Sequence, residues 1–135
     1  MTAKVLDSWA LVAFLLDEPA AEDVERLLVK VAEERIRLLL CVVNWGEVYY
    51  SIARAESEPV AEQKMKELAT LGIELVPVSD DLLLVREAAR VKARHKMSYA
   101  DCFAAALAKL RKAELVTGDE EFKQVEQEIG VMWLR

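Results

Sequence analysis

A chain of 135 residues with 54% apolar and 31% charged residues has the size and make-up of one folded domain with a sizeable core, which excludes a disordered polypeptide. Its longest apolar run, Trp9 to Leu16, is far short of the roughly 20 residues a spanning helix needs, and no secretion signal is visible, so the expected setting is cytoplasmic with no membrane partner. The net charge of −6 argues against a uniformly basic nucleic-acid-binding surface, yet Leu82 to Lys112 carries eight basic residues against two acidic ones, which leaves room for a basic face.

Taken in chain order, residues 3–6 read as a strand and 8–16 as a helix that is apolar nearly all round. Residues 20–34 place Val24, Leu27, Leu28 and Val31 at helical spacing, with acids in the first turn. RLLLCVV, 37–43, has the length and unbroken apolar character of a parallel strand buried on both faces. Helices are expected over 44–55 and 60–71, separated by Ser57-Glu58-Pro59, the second ending at Gly72. A third strand follows over 73–78, then a helix capped by Ser79 and running to about Arg94, and another opened by Ser98 and running to about Lys112. A short strand at 114–116, a helix over 119–129 and a last strand at 131–134 complete the chain. Strands alternating with helices predict an α/β fold: a single domain spanning 1–135, built as a three-layer sandwich around a mainly parallel sheet of about five strands. Cys41 and Cys102 are far apart and form no CxxC, so both are expected as small buried residues rather than zinc ligands or a redox pair.

Open parallel sheets bind ligands beyond the carboxyl ends of their strands. Asp7 follows the first strand, Glu47 lies one turn into the helix after the second, Asp101 one turn into the helix opened by Ser98, and Asp119 just after the fourth strand. Asp7 and Asp119 could each simply cap a helix, and Ser98 to Asp101 has capping-box spacing. Glu47 is harder to explain that way, because it sits in an apolar segment with Ser51, not a base, four positions on. Asn44 shares its helix face and could cap the helix or orient the carboxylate. Four acids near one sheet edge repel one another unless protonated or neutralised by a cation. A hard divalent ion, Mg2+ or Mn2+, suits carboxylate oxygens, and beside a basic face it suits phosphodiester hydrolysis.

VLDSWALVAFLLDEPAAE, VVNWGEVYYSIAR, MSYADCFAAALA and ELVTGDEEF, followed by a VMWL strand, resemble in order and spacing the PIN-domain ribonucleases, especially the VapC-type toxins of toxin–antitoxin pairs. The resemblance runs through essentially the whole chain. It implies a PIN-like fold and a metal-dependent endoribonuclease in which Asp7, Glu47, Asp101 and Asp119 hold Mg2+ or Mn2+ and carry catalysis. Ser8, Asn44, Ser98 and Thr117 fall where the family has small polar residues that support the acids. It also implies an RNA substrate, a homodimer and a cognate antitoxin protein. Trp9 stands where a small residue is more usual, and Trp45-Gly46 within NWGE is slightly unusual; both bear on groove shape.

Arg86, Arg90, Lys92, Arg94 and Lys96 form a basic run ending just before Ser98 and are candidates for contacts to an RNA backbone, against the plainer reading of a solvated helix face. Tyr49 and Tyr50 are candidates for stacking on bases, although their spacing with Trp45 and Ile52 also fits core or dimer contact. His95, the only histidine, has no serine placed to form a triad. Two other functions fit such a fold. A non-catalytic binding module would use the acids only as caps. A phosphoacceptor receiver would need an acid pair after the first strand and an aspartate ending the third, whereas this chain has one acid at the first place and Pro77-Val78-Ser79 at the second.

Overall fold

A computed structural model describes residues 1–135. The strands β1 (Thr2–Leu6), β2 (Ile36–Cys41), β3 (Glu74–Val76), β4 (Glu114–Thr117) and β5 (Val131–Trp133) form one sheet in the order β3-β2-β1-β4-β5, with every pairing parallel. The central strands are buried on both faces because successive residues feed opposite cores. Val5, Leu39, Cys41 and Leu115 point to one side, and Leu6, Leu38, Leu40 and Val116 to the other.

Six α-helices cover those faces: α1 (Ser8–Leu15), α2 (Ala21–Ala32), α3 (Val42–Ala55), α4 (Glu58–Leu68), α5 (Leu83–Arg94) and α6 (Tyr99–Arg111). The first four pack on the face bearing Leu6 and Leu38, and α5 and α6 on the other, which gives the three layers expected from the sequence. In α6 the run Ala104-Ala105-Ala106 is wholly buried, its small side chains letting the helix lie close to the sheet. Strand order reverses between β1 and β4, so their carboxyl ends flank the crevice where an open α/β sheet binds its ligand.

Four local expectations are corrected. The segment after Asp119 is a 3-10 helix, Glu120–Val125, rather than an α-helix over 119–129; Phe122 and Val125, three apart, both reach the core, which suits three residues per turn. Ser79 does not cap α5, which begins at Leu83 after a left-handed Leu82, and Asp81 Oδ1 accepts from Leu83 N at 3.0 Å. The second strand stops at Cys41, so α3 starts at Val42 and Asn44 lies inside its first turn instead of capping it. The third strand keeps only Glu74–Val76, since Pro77 has no N–H to continue the ladder. Ser57 and Ser98 cap α4 and α6, accepting from Val60 N at 3.2 Å and Asp101 N at 3.1 Å.

Candidate functional site

At the carboxyl end of β1, Asp7 follows the strand and caps α1: its Oδ1 accepts from Ala10 N at 2.9 Å. Its Oδ2 accepts from the Thr117 hydroxyl across the crevice. The Thr117 hydroxyl also accepts from Asp119 N at 3.0 Å, so one buried side chain ties the first acid to the backbone of the last. Asp119 in turn caps the 3-10 helix, its Oδ1 accepting from Glu121 N at 2.9 Å. Capping and clustering are thus served by the same carboxyls: the helix starts aim them.

On the neighbouring elements, Ser98 caps α6 and sets Asp101 in its first turn, 4% exposed. Glu47 projects from α3. Asn44, fully buried one turn earlier, donates through Nδ2 to Ala100 O at 2.9 Å and so fastens α3 to the first turn of α6. Glu47, Asp101, Asp119 and Glu121 line an open cleft of about 350 Å³ together with Ser8, Ser98 and Trp9. Asp7 does not line it. It is fully buried beneath, close enough that the charges of Asp119 and Glu47 act on it.

The electrostatics reflect crowding of like charges in a poorly solvated place. Burial chiefly, with a smaller push from Asp119 and Glu47, raises the Asp7 carboxyl to about 7 despite the Thr117 and Ala10 hydrogen bonds that oppose it. Burial and then the charges of Glu47 and Asp119 raise Asp101 to about 8. Tyr50 is pushed upward by burial and by Glu47. Ligand oxygens of Asp101, Asp119 and Glu121 lie within 4.8 Å of one another, and Glu47 Oε1 is buried with no hydrogen-bond partner. A donor set made only of carboxylate oxygens, one of them unpartnered, has the chemistry a hard divalent cation requires.

Sequence reasoning missed two acids that line the cleft, the exposed Glu18 and Glu121, and of these Glu121 brings a carboxylate oxygen close to those of Asp101 and Asp119. Its only signal is the Asp119-x-Glu121 spacing, which becomes meaningful once a tight turn folds the second acid back beside the first. The basic run is not drawn together at the cleft. All five are exposed, but Arg90 Nη1 is held by Glu87 Oε2 at 3.0 Å and Lys92 Nζ by Met97 O at 2.6 Å, while Arg86, Arg94 and Lys96 have no side-chain partner. Helix α5 leads through residues 95–97 to Ser98 at the cleft, so along the chain Arg94 and Lys96 are nearest to it and Arg86 furthest. His95 Nε2 pairs with Glu128 Oε2 at 2.9 Å, which leaves it no part in a triad. Tyr49 donates to Glu62 Oε1 at 2.8 Å and stacks on Trp45, whereas Tyr50 is exposed under Arg54. Both cysteines are free and buried. No helix is long and apolar enough to cross a membrane.

A PIN domain model matches residues 4–128. Ribonuclease VapC30 of Mycobacterium tuberculosis is 33% identical over 127 residues, spanning 90% of this chain and 94% of that one. Ribonuclease VapC of Mycolicibacterium smegmatis is 33% identical over 127 residues, 88% and 93% of the two chains. Among solved structures, VapBC2 from Rickettsia felis bound to a DNA fragment from its promoter aligns with a TM-score of 0.75 at 14% identity, covering 99% of this chain and 100% of that one. VapC20 of Mycobacterium tuberculosis, a sarcin-ricin loop cleaving toxin, aligns with a TM-score of 0.72 at 14% identity, covering 90% and 94%. The β-strand order, the acids at the switch point and a model match over nearly the whole length agree: this chain belongs to the PIN-domain family, in its VapC branch.

Proposed function

We propose that residues 1–135 act as one nuclease domain, a Mg2+- or Mn2+-dependent endoribonuclease that serves as the toxin of a toxin–antitoxin pair. The observation that carries this reading is the convergence of Glu47, Asp101, Asp119 and Glu121 on one open cleft at the sheet's switch point, with a buried Glu47 oxygen left without a partner. Asp7, Glu47, Asp101 and Asp119, joined by Glu121, would hold the ion, the last four from the cleft and Asp7 from its buried place beneath it. When bound, the ion supplies a water of lowered pKa and stabilises charge on the scissile phosphate.

The chain's own residues do the rest. Thr117 and Ala10 N fix the Asp7 carboxyl, so its charge is delivered at a set place. Asn44 and Ser98 lock the first turns of α3 and α6, which sets the separation of Glu47 and Asp101. Arg94 and Lys96, exposed in the segment that leads into Ser98, approach the RNA backbone from the α5 side. A cytoplasmic homodimer with a cognate antitoxin completes the proposal; the toxin–antitoxin complexes among the structural neighbours support a protein partner of that kind.

Incubating purified protein with a mixed RNA pool tests the reading. Cleavage that requires Mg2+ or Mn2+ and disappears in Glu47→Gln supports it. Equal cleavage after chelation and in the variant rejects it. The alternative of a non-catalytic module that keeps the fold predicts no ion-dependent change in thermal stability.

A further inference from the structure

Trp9 is the one aromatic side chain lining the acidic cleft. It stands in the first turn of α1, directly after Asp7 and Ser8, and 36% of it is exposed, while Ala10, Leu11 and Ala13 of the same helix are buried in the core. Its indole rests against Gly118. A Cβ added to Gly118 would lie 2.3–2.6 Å from Cη2, Cζ3 and Cζ2 of Trp9, so the six-membered ring fills the place of a side chain there. Gly118 is not in the left-handed region; this glycine provides room rather than an unusual backbone conformation. The ring is therefore braced against the backbone that leads directly into Asp119.

An indole braced on one side and open to the cleft on the other is a preformed flat surface, with little rotamer freedom left to lose on contact. Around it the cleft wall is otherwise nearly all carboxylates and hydroxyls. Those carboxylates repel phosphate groups, so away from a bound cation a polynucleotide gains favourable contact there through its bases rather than its backbone. Every base has a π-face that stacks on an aromatic ring.

We propose that Trp9 is the stacking platform for the nucleobase beside the scissile phosphate, and that it fixes the register in which the RNA strand is presented to the acids. The inference rests on the ribonuclease reading. It makes Trp9 a determinant of which bond is cut, not a participant in proton or phosphoryl transfer.

The test uses short oligoribonucleotides that carry one cleaved bond, each with a single abasic residue at a successive position around it. Wild-type protein, Trp9→Phe and Trp9→Ala are compared at saturating Mn2+, with folding checked by circular dichroism. In the wild type, removing one particular base next to the cleaved bond lowers kcat/KM by roughly five- to 150-fold, the range expected from loss of one stacked base. Trp9→Ala loses about as much on the intact strand and becomes indifferent to that abasic position, and Trp9→Phe recovers most of both effects. A Trp9→Ala protein that cuts RNA with the wild-type abasic profile overturns the inference and leaves the ribonuclease reading intact. A wild-type protein that cuts no RNA overturns both. Binding gives a readout apart from cleavage: in the Trp45→Phe/Trp133→Phe protein, whose only tryptophan is Trp9, emission is quenched by the intact strand, with metal withheld to prevent cleavage, and not by its abasic counterpart. Unchanged emission with both strands overturns the inference.

Discussion

The indole of Trp9 occupies the volume that any side chain at Gly118 would need, so the two positions are sterically locked together. Gly118→Ala must displace the ring or the backbone before Asp119, and overpacking of this kind costs about 1–3 kcal/mol. The double variant Trp9→Ala/Gly118→Ala should recover most of that loss, since the added methyl then enters vacated space. Urea unfolding of the two singles and the double gives the coupling directly; an additive result would mean that the ring and the glycine do not compete for the same space.

Thr117 links Asp7 to Asp119 with one hydroxyl, donating to the first and accepting from the backbone N–H of the second. Thr117→Val preserves shape but leaves the buried Asp7 Oδ2 and the Asp119 backbone N–H unpartnered, at a cost of about 1–3 kcal/mol. Because the Thr117 bond lowers the Asp7 pKa, its loss moves that value further up and weakens Mn2+ affinity near neutral pH. A Mn2+ titration monitored by thermal shift should show a smaller stabilisation than in the wild type at the same concentration.

The acids give the metal-free protein a pH dependence of defined sign. Asp7 at about 7 and Asp101 at about 8 both lie above the ordinary aspartate value of 3.8, so the folded state binds more protons than the unfolded chain. Their stabilising contribution is complete below about pH 4 and is lost as pH rises to about 8. The Tm of metal-free protein should therefore carry a falling component across that window, and Asp7→Asn, which removes a buried charge, should flatten part of it. Metal binding at pH 6 should release protons, measurable by calorimetry in buffers of different ionisation enthalpy. Uptake of protons, or no exchange, would contradict the assignment.

Much of this was readable from the chain. Unbroken apolar strands and amphipathic helices in alternation point to the layers, and the positions of Asp7, Glu47, Asp101 and Asp119, at strand ends or one turn into helices, gather four acids near one edge of the sheet. The remainder depended on local geometry that spacing does not encode. Glu121 joins the cleft only because a 3-10 turn replaces the expected α-helix. Asn44, which the chain allows as a cap or as an orienter of Glu47, lies inside the first turn because the chain turns helical at Val42, and its amide reaches α6. The depth of Asp7, fully buried beneath the cleft that the other acids line, is likewise not encoded in spacing. The basic run looked uniform, yet Arg90 and Lys92 are engaged by neighbours that no charge count reveals.

That difference makes the basic residues separable. Arg94→Ala and Lys96→Ala should each weaken RNA binding and reduce the slope of log affinity against log salt by somewhat under one, about 0.7 per phosphate contact for a single strand. Arg86→Ala, at the far end of α5, should leave the slope unchanged. Filter binding across a salt series, with metal withheld to prevent cleavage, measures it.

The chemistry of the cut ends is the most direct test of the acid cluster. Attack by water, which an ion held by these carboxylates would activate, leaves no 2′,3′-cyclic phosphate, whereas attack by the RNA's own 2′-hydroxyl does. End-group analysis of a mixed RNA pool digested with Mn2+, by the wild type and by Asp101→Asn, should find linear ends without cyclic phosphate in the first and uncut RNA in the second. Cyclic phosphate ends, or equal digestion by the variant, would contradict hydrolysis at this cleft.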